Sequence, residues 1–394
     1  MDLAVAPRRS KKILIVAGEE SGDVYAGRLA GHLGRLIPGV AMEGIGGPRM
    51  RQAGVETFHD IAHMSSVGVA SALGRLRGLF GMLADIKRRL HNGDYDAVIL
   101  VDYPDFNMQV AKAAHGAGVP VFYYVCPQFW AWRRGRAQKA KIWVDLMMVV
   151  FPFEEKYYQD LGLEAVFSGH PLLDELPPLG DKLALKRSLG AREDKPLVGL
   201  APGSREGEVK RMFPLMLEAG RIIKESMDVD LLVPCAKSID PARLCAVAEE
   251  MGVQINLVEG RTWEAMNAVD FLICKSGTST LQAALAQAPM VIVYKADLFS
   301  YYMAKALSHV EWAGLPNILA GRMIVPELLQ GQATAPAMAR QALRILRDDG
   351  ARRAMIEDLA KIRQSLGEPG ASQRAARIIS GRLGGEFGGA EAGV

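Results

Sequence analysis

Asp102 and Asp105 stand in Asp102-Tyr103-Pro104-Asp105-Phe106-Asn107, directly after the apolar run Ala97–Val101. A carboxylate at the end of a buried strand is placed to act as a general base, because apolar surroundings raise its pKa. Asp102 is the base candidate. Asp105 reads first as the cap of a helix starting at Phe106 and second as a reserve base. Asp94-Tyr95-Asp96 spells D-x-D, a pairing that holds metal in some enzymes, but it precedes the strand and reads as a turn.

Other chemistry-bearing residues also follow apolar runs. Gly18-Glu19-Glu20-Ser21-Gly22-Asp23 turns into a helix that Ser21 or Asp23 could cap. It is not G-x-G-x-x-G, so a dinucleotide site is disfavoured. Its carboxylates would repel phosphate, and Glu19 and Ser21 suit hydroxyls instead. Cys126-Pro127-Gln128-Phe129-Trp130-Ala131-Trp132-Arg133 offers two indoles beside Arg133, Arg134, Arg136, Lys139 and Lys141. Indole faces can stack on sugars or acyl chains, the cations suit an anionic group, and the alternative is a packed aromatic lid. His170 follows the end of a strand and reads as structural before catalytic. Ala201-Pro202-Gly203-Ser204-Arg205-Glu206 can meet a phosphate through the backbone N–H groups of Gly203 and Ser204 and the guanidinium of Arg205. Lys275-Ser276-Gly277-Thr278-Ser279-Thr280-Leu281-Gln282 opens a helix, the arrangement that binds a diphosphate at a helix N-terminus. Ser276, Gly277, Thr278 and Thr280 are the candidates there, and Gln282 could reach a ribose hydroxyl.

The elements that must hold these loops are short apolar runs alternating with helical patterns. Strands are expected at Ile13–Ala17, Ala97–Val101, Val119–Val125 and Leu146–Phe151, then at Leu197–Ala201, Leu231–Pro234, Ile255–Val258, Phe271–Cys274 and Met290–Tyr294. Near-continuous Val/Ile/Leu runs suit parallel strands covered on both faces. Helices are expected at Val24–Leu36 and Phe106–Ala117. The fold class is therefore α/β, with two doubly wound Rossmann-like domains and a helical C-terminal segment. Leu176–Gly180, LPPLG, is the natural break. The expected division is 1–176, 177–349 and a helical end 350–394 that crosses back to the first domain or exchanges with a partner chain in a homodimer. In Ala72–Leu90 one stripe is Leu73, Leu76, Phe80 and Leu83, and a second is Leu79, Met82, Ile86 and Leu90. Cations surround them, so the second stripe suits an anionic membrane surface, unless both are buried.

Composition bounds these readings. The 394 residues exceed one ordinary core, at roughly 150 residues per domain. A net charge of +3 excludes a dedicated nucleic-acid binder. Cys126, Cys235, Cys245 and Cys274 show no C-x-x-C spacing, so neither a disulfide framework nor a zinc site is expected. The opening MDLAVAPRRSKK precedes an apolar run too short for a signal-peptide core, and no run of 18 apolar residues occurs, so a cytoplasmic location is expected.

Taken in order, AGEESGD, GIGGPRM, VDYPDFN, FWAWR, GHPLLDE, APGSREGEVKR, KSGTSTLQAAL and GLPNILAGR resemble the lipid-A-disaccharide synthase family, glycosyltransferases of the two-domain GT-B fold. The resemblance runs from about Ile13 to Leu329. It implies a UDP-diacylglucosamine donor, a diacylglucosamine 1-phosphate acceptor, an inverting transfer that makes a β-1,6 bond, no metal or other cofactor, and a peripheral place on the inner face of the cytoplasmic membrane. It implies a base at Asp102, leaving-group stabilisation by Arg205, and Asn317 of GLPNILAGR in the binding set. Gln282 stands where the family usually has Glu, and Glu20 where GEASGD has Ala. The alternatives are an epimerase or another lipid-linked transferase on the same fold, and a nucleotide-sugar-binding scaffold without catalysis.

Overall fold

The computed structural model describes residues 10–61, 72–93, 95–131, 135–295 and 310–384; in the helix Ala72–Asn92, side chains are described from Arg77 onward. Trp132, Arg133, Asp94, Leu73 and Leu76 therefore lie outside the described side chains. The chain divides into two compact units, one of Met1–Glu175 with Leu366–Val394, the other of Leu176–Ser365.

The first unit is built on a parallel sheet of β1 (Lys12–Ala17), β2 (Ala41–Gly46), β3 (Glu56–Asp60), β4 (Ala97–Val101), β5 (Val121–Tyr124), β6 (Leu146–Val149) and β7 (Ala165–Phe167). The strand order is β3-β2-β1-β4-β5-β6-β7. Alternation along the strands explains the double cover. Val98, Leu100, Val121 and Tyr123 enter one buried cluster, while Ala97, Ile99, Val101, Phe122 and Tyr124 enter another on the opposite face. That second cluster also contains Tyr25, Ala26, Leu29 and Ala30 from helix Glu20–Leu36 and Ala375, Ala376 and Ile379 from the last helix, Ala371–Arg382. The returning helix is capped from within the GHPLLDE motif, where the Asp174 carboxylate accepts from the backbone N–H of Ala371 at 3.1 Å and Ser372 at 3.0 Å. Arg374 donates to the Ser168 carbonyl at 2.8 Å.

The second unit repeats the design with β8 (Leu197–Ala201), β9 (Asp230–Cys235), β10 (Asn256–Glu259), β11 (Phe271–Lys275), β12 (Met290–Tyr294) and β13 (Glu327–Leu329), all parallel, in the order β10-β9-β8-β11-β12-β13.

Two expectations are corrected here. The helix after β4 starts at Pro104, not Phe106, because the fixed φ of proline suits the first helical position. Its N-cap is Tyr103, and Asp105 lies exposed in the first turn, paired with Arg136. In helix Ala72–Asn92 the second stripe packs inward, with Met82, Ile86 and Leu90 buried in the core. Phe80 of the other stripe is 67% exposed, with Arg77, Lys87 and Arg88 exposed on the same helix.

Candidate active site

Each sheet reverses its winding once, between β1 and β4 in the first unit and between β8 and β11 in the second. In open α/β sheets such reversals, at the carboxyl ends of the strands, are where ligands bind, because the neighbouring loops part there. The register pairs Ala17 with Val101 and Ala201 with Cys274. The loops from Gly18 and Asp102 therefore start side by side in one unit, and those from Pro202 and Ser276 in the other.

At the first edge the backbone is strained. Asp102 and Tyr103 have φ of 51° and 48°, and Val125, at the end of neighbouring β5, has 56°. Left-handed backbone at non-glycine residues costs about 1–3 kcal/mol each and persists only where the surroundings enforce it. The enforcement is visible. The Asp102 carbonyl accepts from Asn107 Nδ2 at 2.7 Å and the Tyr123 hydroxyl at 2.8 Å, and its N–H donates to the Tyr124 carbonyl at 3.3 Å. The Tyr103 ring covers Gly18, where any Cβ would collide with it, so AGEESGD requires glycine there. Burial, with the nearby Glu19 carboxylate, pushes the Asp102 carboxyl up to about 6. Glu19 and Ser21 are exposed at the start of their helix. Asp23 does not cap that helix. It is buried and accepts from the backbone N–H of Gly47 at 2.6 Å, Arg49 at 3.0 Å and Met50 at 3.1 Å, tying AGEESGD to GIGGPRM.

The loop after β5 is packed. Trp130 is buried, its indole N–H donating to Glu154 Oε1 at 2.7 Å and its ring meeting Phe153 edge-on at 4.9 Å. Glu154 also accepts from the N–H of Val150 and Phe151, and burial pushes its pKa up to about 7. The Tyr158 hydroxyl holds the Pro127 carbonyl. Trp130 thus anchors its own loop. His170 is also structural: Nδ1 accepts from the Leu172 N–H at 3.1 Å, and burial lowers its pKa to about 4, which keeps the ring neutral.

At the second edge the polar groups are cations, hydroxyls and amides, with one carboxylate, Glu208, between the two cations. Gly203 has φ of 119°, and a Cβ there would lie 2.6 Å from Glu208 Oε2. Ser204 and Arg205 are exposed, and Arg205 precedes helix Glu206–Ser226 as its N-cap. Glu208 joins the two loops, pairing with Lys275 at 2.7 Å and Arg205 at 3.5 Å. Helix Thr278–Leu285 begins after Gly277, with Gly277 and Thr278 exposed. Its first turn carries N–H groups without intrahelical partners and the positive end of the helix dipole. The Thr280 hydroxyl is turned inward onto the Gly277 carbonyl at 2.7 Å, and that of Ser276 onto the Ala313 carbonyl at 3.0 Å. Gln282 sits half-buried one turn in. Asn317 is fully occupied elsewhere. Its amide donates to the Val325 carbonyl and Glu327 and accepts from the Ile324 and Val325 N–H, which exhausts its capacity. It therefore braces the segment before β13, where a binding role was expected.

Sequence reasoning named neither Lys275 and Glu208 as a pair nor Glu154, Asn107 and Tyr123. Lys275 opens KSGTSTLQAAL, Glu208 lies in APGSREGEVKR, and Asn107 ends VDYPDFN. Tyr123 sits in a plain apolar run and gives no local signal.

The family model described as Lipid-A-disaccharide synthetase matches residues 13–380. A lipid-A-disaccharide synthase of Syntrophus aciditrophicus is 42% identical over 371 residues, 93% of this chain and 96% of that protein. One of Anaeromyxobacter dehalogenans is 43% identical over 378 residues, 95% of this chain and 98% of that protein. Among solved structures, a calicheamicin glycosyltransferase superposes with a TM-score of 0.62 at 15% identity, covering 95% of this chain and 99% of its own. The UDP-GlcNAc 2-epimerase of Neisseria meningitidis, bound to UDP-GlcNAc, gives 0.59 at 11%, covering 94% and 99%. Those two establish the fold alone. With the family model and relatives above spanning nearly all of the chain, it belongs to the lipid-A-disaccharide synthase family of glycosyltransferases.

Proposed function

We propose that the chain transfers 2,3-diacylglucosamine from UDP to the 6-hydroxyl of 2,3-diacylglucosamine 1-phosphate with inversion, giving the β-1,6 disaccharide 1-phosphate and UDP. The acceptor oxygen attacks the anomeric carbon as its proton passes to the Asp102 carboxylate. The bond from that carbon to the UDP oxygen breaks, and its electron pair leaves with UDP. The growing charge on the pyrophosphate is met by Arg205, Lys275 and the backbone N–H groups at Gly277–Thr278, which serve where a metal would otherwise be needed. Gln282 takes a ribose hydroxyl. Asp105, exposed and paired with Arg136, is the weaker base.

The observation that carries this reading is the division of chemistry between the two sheet reversals: a half-buried carboxyl raised to about 6 at one, and Lys275, Arg205 and a helix start, with Glu208 between the cations, at the other. Purified protein incubated with both lipids, with and without EDTA, tests it. Disaccharide is expected only when both lipids are present and in equal amount with EDTA. Absence of product, or loss of product with EDTA, overturns the assignment or its metal independence respectively.

Membrane attachment is proposed at helix Ala72–Asn92. Among the described residues no helix is long and apolar enough to cross a bilayer. Exposed Phe80 with Arg77, Lys87 and Arg88 suits an anionic surface. Phe80→Ser should weaken co-sedimentation with vesicles containing phosphatidylglycerol, and unchanged sedimentation would discard this surface.

A further inference from the structure

We propose that Asn107 and Tyr123 are positioning residues for transfer, holding the backbone of Asp102 in its left-handed turn and so fixing where the base carboxyl stands. The inference rests on Asp102 being the base. Two donors converge on one carbonyl, that of Asp102, and they come from different elements: Asn107 from the helix that follows the turn, Tyr123 from the adjacent strand. Asn107 has three carbonyls around its amide nitrogen, those of Asp102, Val101 and Val16, the last at 3.4 Å on β1. It therefore gathers the ends of β1 and β4 onto one group. Its Oδ1 is buried without a partner among the described residues. A side chain chosen for stability alone would not strand a buried acceptor. The turn it secures holds two non-glycine residues, Asp102 and Tyr103, in left-handed backbone, and Val125, after the neighbouring strand β5, is left-handed as well. Strain of this kind gathers where an enzyme fixes a reacting group in advance.

The titratable groups facing the Asp102 carboxyl are Glu19 from the loop after β1, Tyr25 from helix Glu20–Leu36 and Tyr123 from β5, while Asp105 acts on Tyr123. With the turn intact, burial and Glu19 keep the carboxyl raised, so transfer falls as pH drops through about 6. If the turn relaxes, the carboxyl gains water and its pKa moves down.

The test uses the full-length protein and two variants, Tyr123→Phe and Asn107→Leu, read per mole of protein that binds UDP. Each is expected to lower kcat on the order of 10- to 100-fold, with KM for both substrates within about twofold, and to move the acid limb of kcat/KM to lower pH. Variants that lose only thermal stability, with kcat within twofold and the limb in place, overturn the inference. Asp102→Asn separates the two claims. If it retains transfer, the base assignment fails. If it is inactive while both variants match the parent enzyme, the base stands and the positioning role falls.

Discussion

The two sheet reversals share a topology and differ in almost everything else. In the first unit the loop after β4 is bent into left-handed backbone, clamped by buried side chains, and presents a carboxyl whose proton affinity burial and Glu19 have raised. In the second unit Ser204, Arg205, Gly277 and Thr278 are exposed, Lys275 ends β11 paired with Glu208, and the donors are Lys275, Arg205 and the N–H groups of a helix start. A proton acceptor must be aimed and dried to work near neutral pH. A pyrophosphate cradle instead needs several donors around a large, diffuse anion, and small errors in any one of them matter less. The contrast teaches that rigidity here is local, placed where one atom must be in one position.

Substitutions at the two edges can break this contrast. The largest effect is expected for Asp102→Ala, with transfer falling by about 10²–10⁴ and UDP binding by calorimetry unchanged. Weakened UDP binding would show that the edges are not separable in role. Arg205→Ala should lower kcat by about 10²–10³ and weaken UDP as well, so nucleotide affinity distinguishes it from the Asp102 variant. Below its acid limb near pH 6, kcat/KM should fall about tenfold per unit as Asp102 becomes protonated, and a flat profile from pH 5 to 7 would remove that carboxyl from the mechanism. Asn317→Ala should leave buried N–H groups unpaired and destabilise the second unit by about 1–3 kcal/mol in urea unfolding, with KM for the donor little changed. The smallest effect is expected for Gln282→Glu, a few-fold change in UDP affinity, because it exchanges one hydrogen-bonding group for another on the ribose side.

Much of this was legible before the structure. Ala97–Val101 and Phe271–Cys274 are apolar enough to read as buried strands, and both lie in strands here. β2 was hidden because Gly44 and Gly46 interrupt its apolar run, and β7 and β13 because three residues make no pattern. Asp23 and Asp174 were misread or passed over for another reason. Each carboxylate serves a backbone segment remote in sequence, and no local rule names a partner that only the fold brings near. The same applies to the inward face of helix Ala72–Asn92. Periodicity showed two stripes, but only packing decided which met the core.

The last helix has a consequence for how the protein comes to be made. Ala375, Ala376 and Ile379 belong to the same buried cluster as Ile13 and Ile15, so a core begun at β1 is completed only by helix Ala371–Arg382. On a ribosome the Leu176–Ser365 unit has all of its sequence first. The earlier-synthesised unit must wait, one face of its sheet only partly covered by helix Glu20–Leu36, until Ala371–Arg382 has been made. A nascent chain stalled just before Leu366 should therefore contain a protease-resistant second unit beside a first unit still open to cleavage.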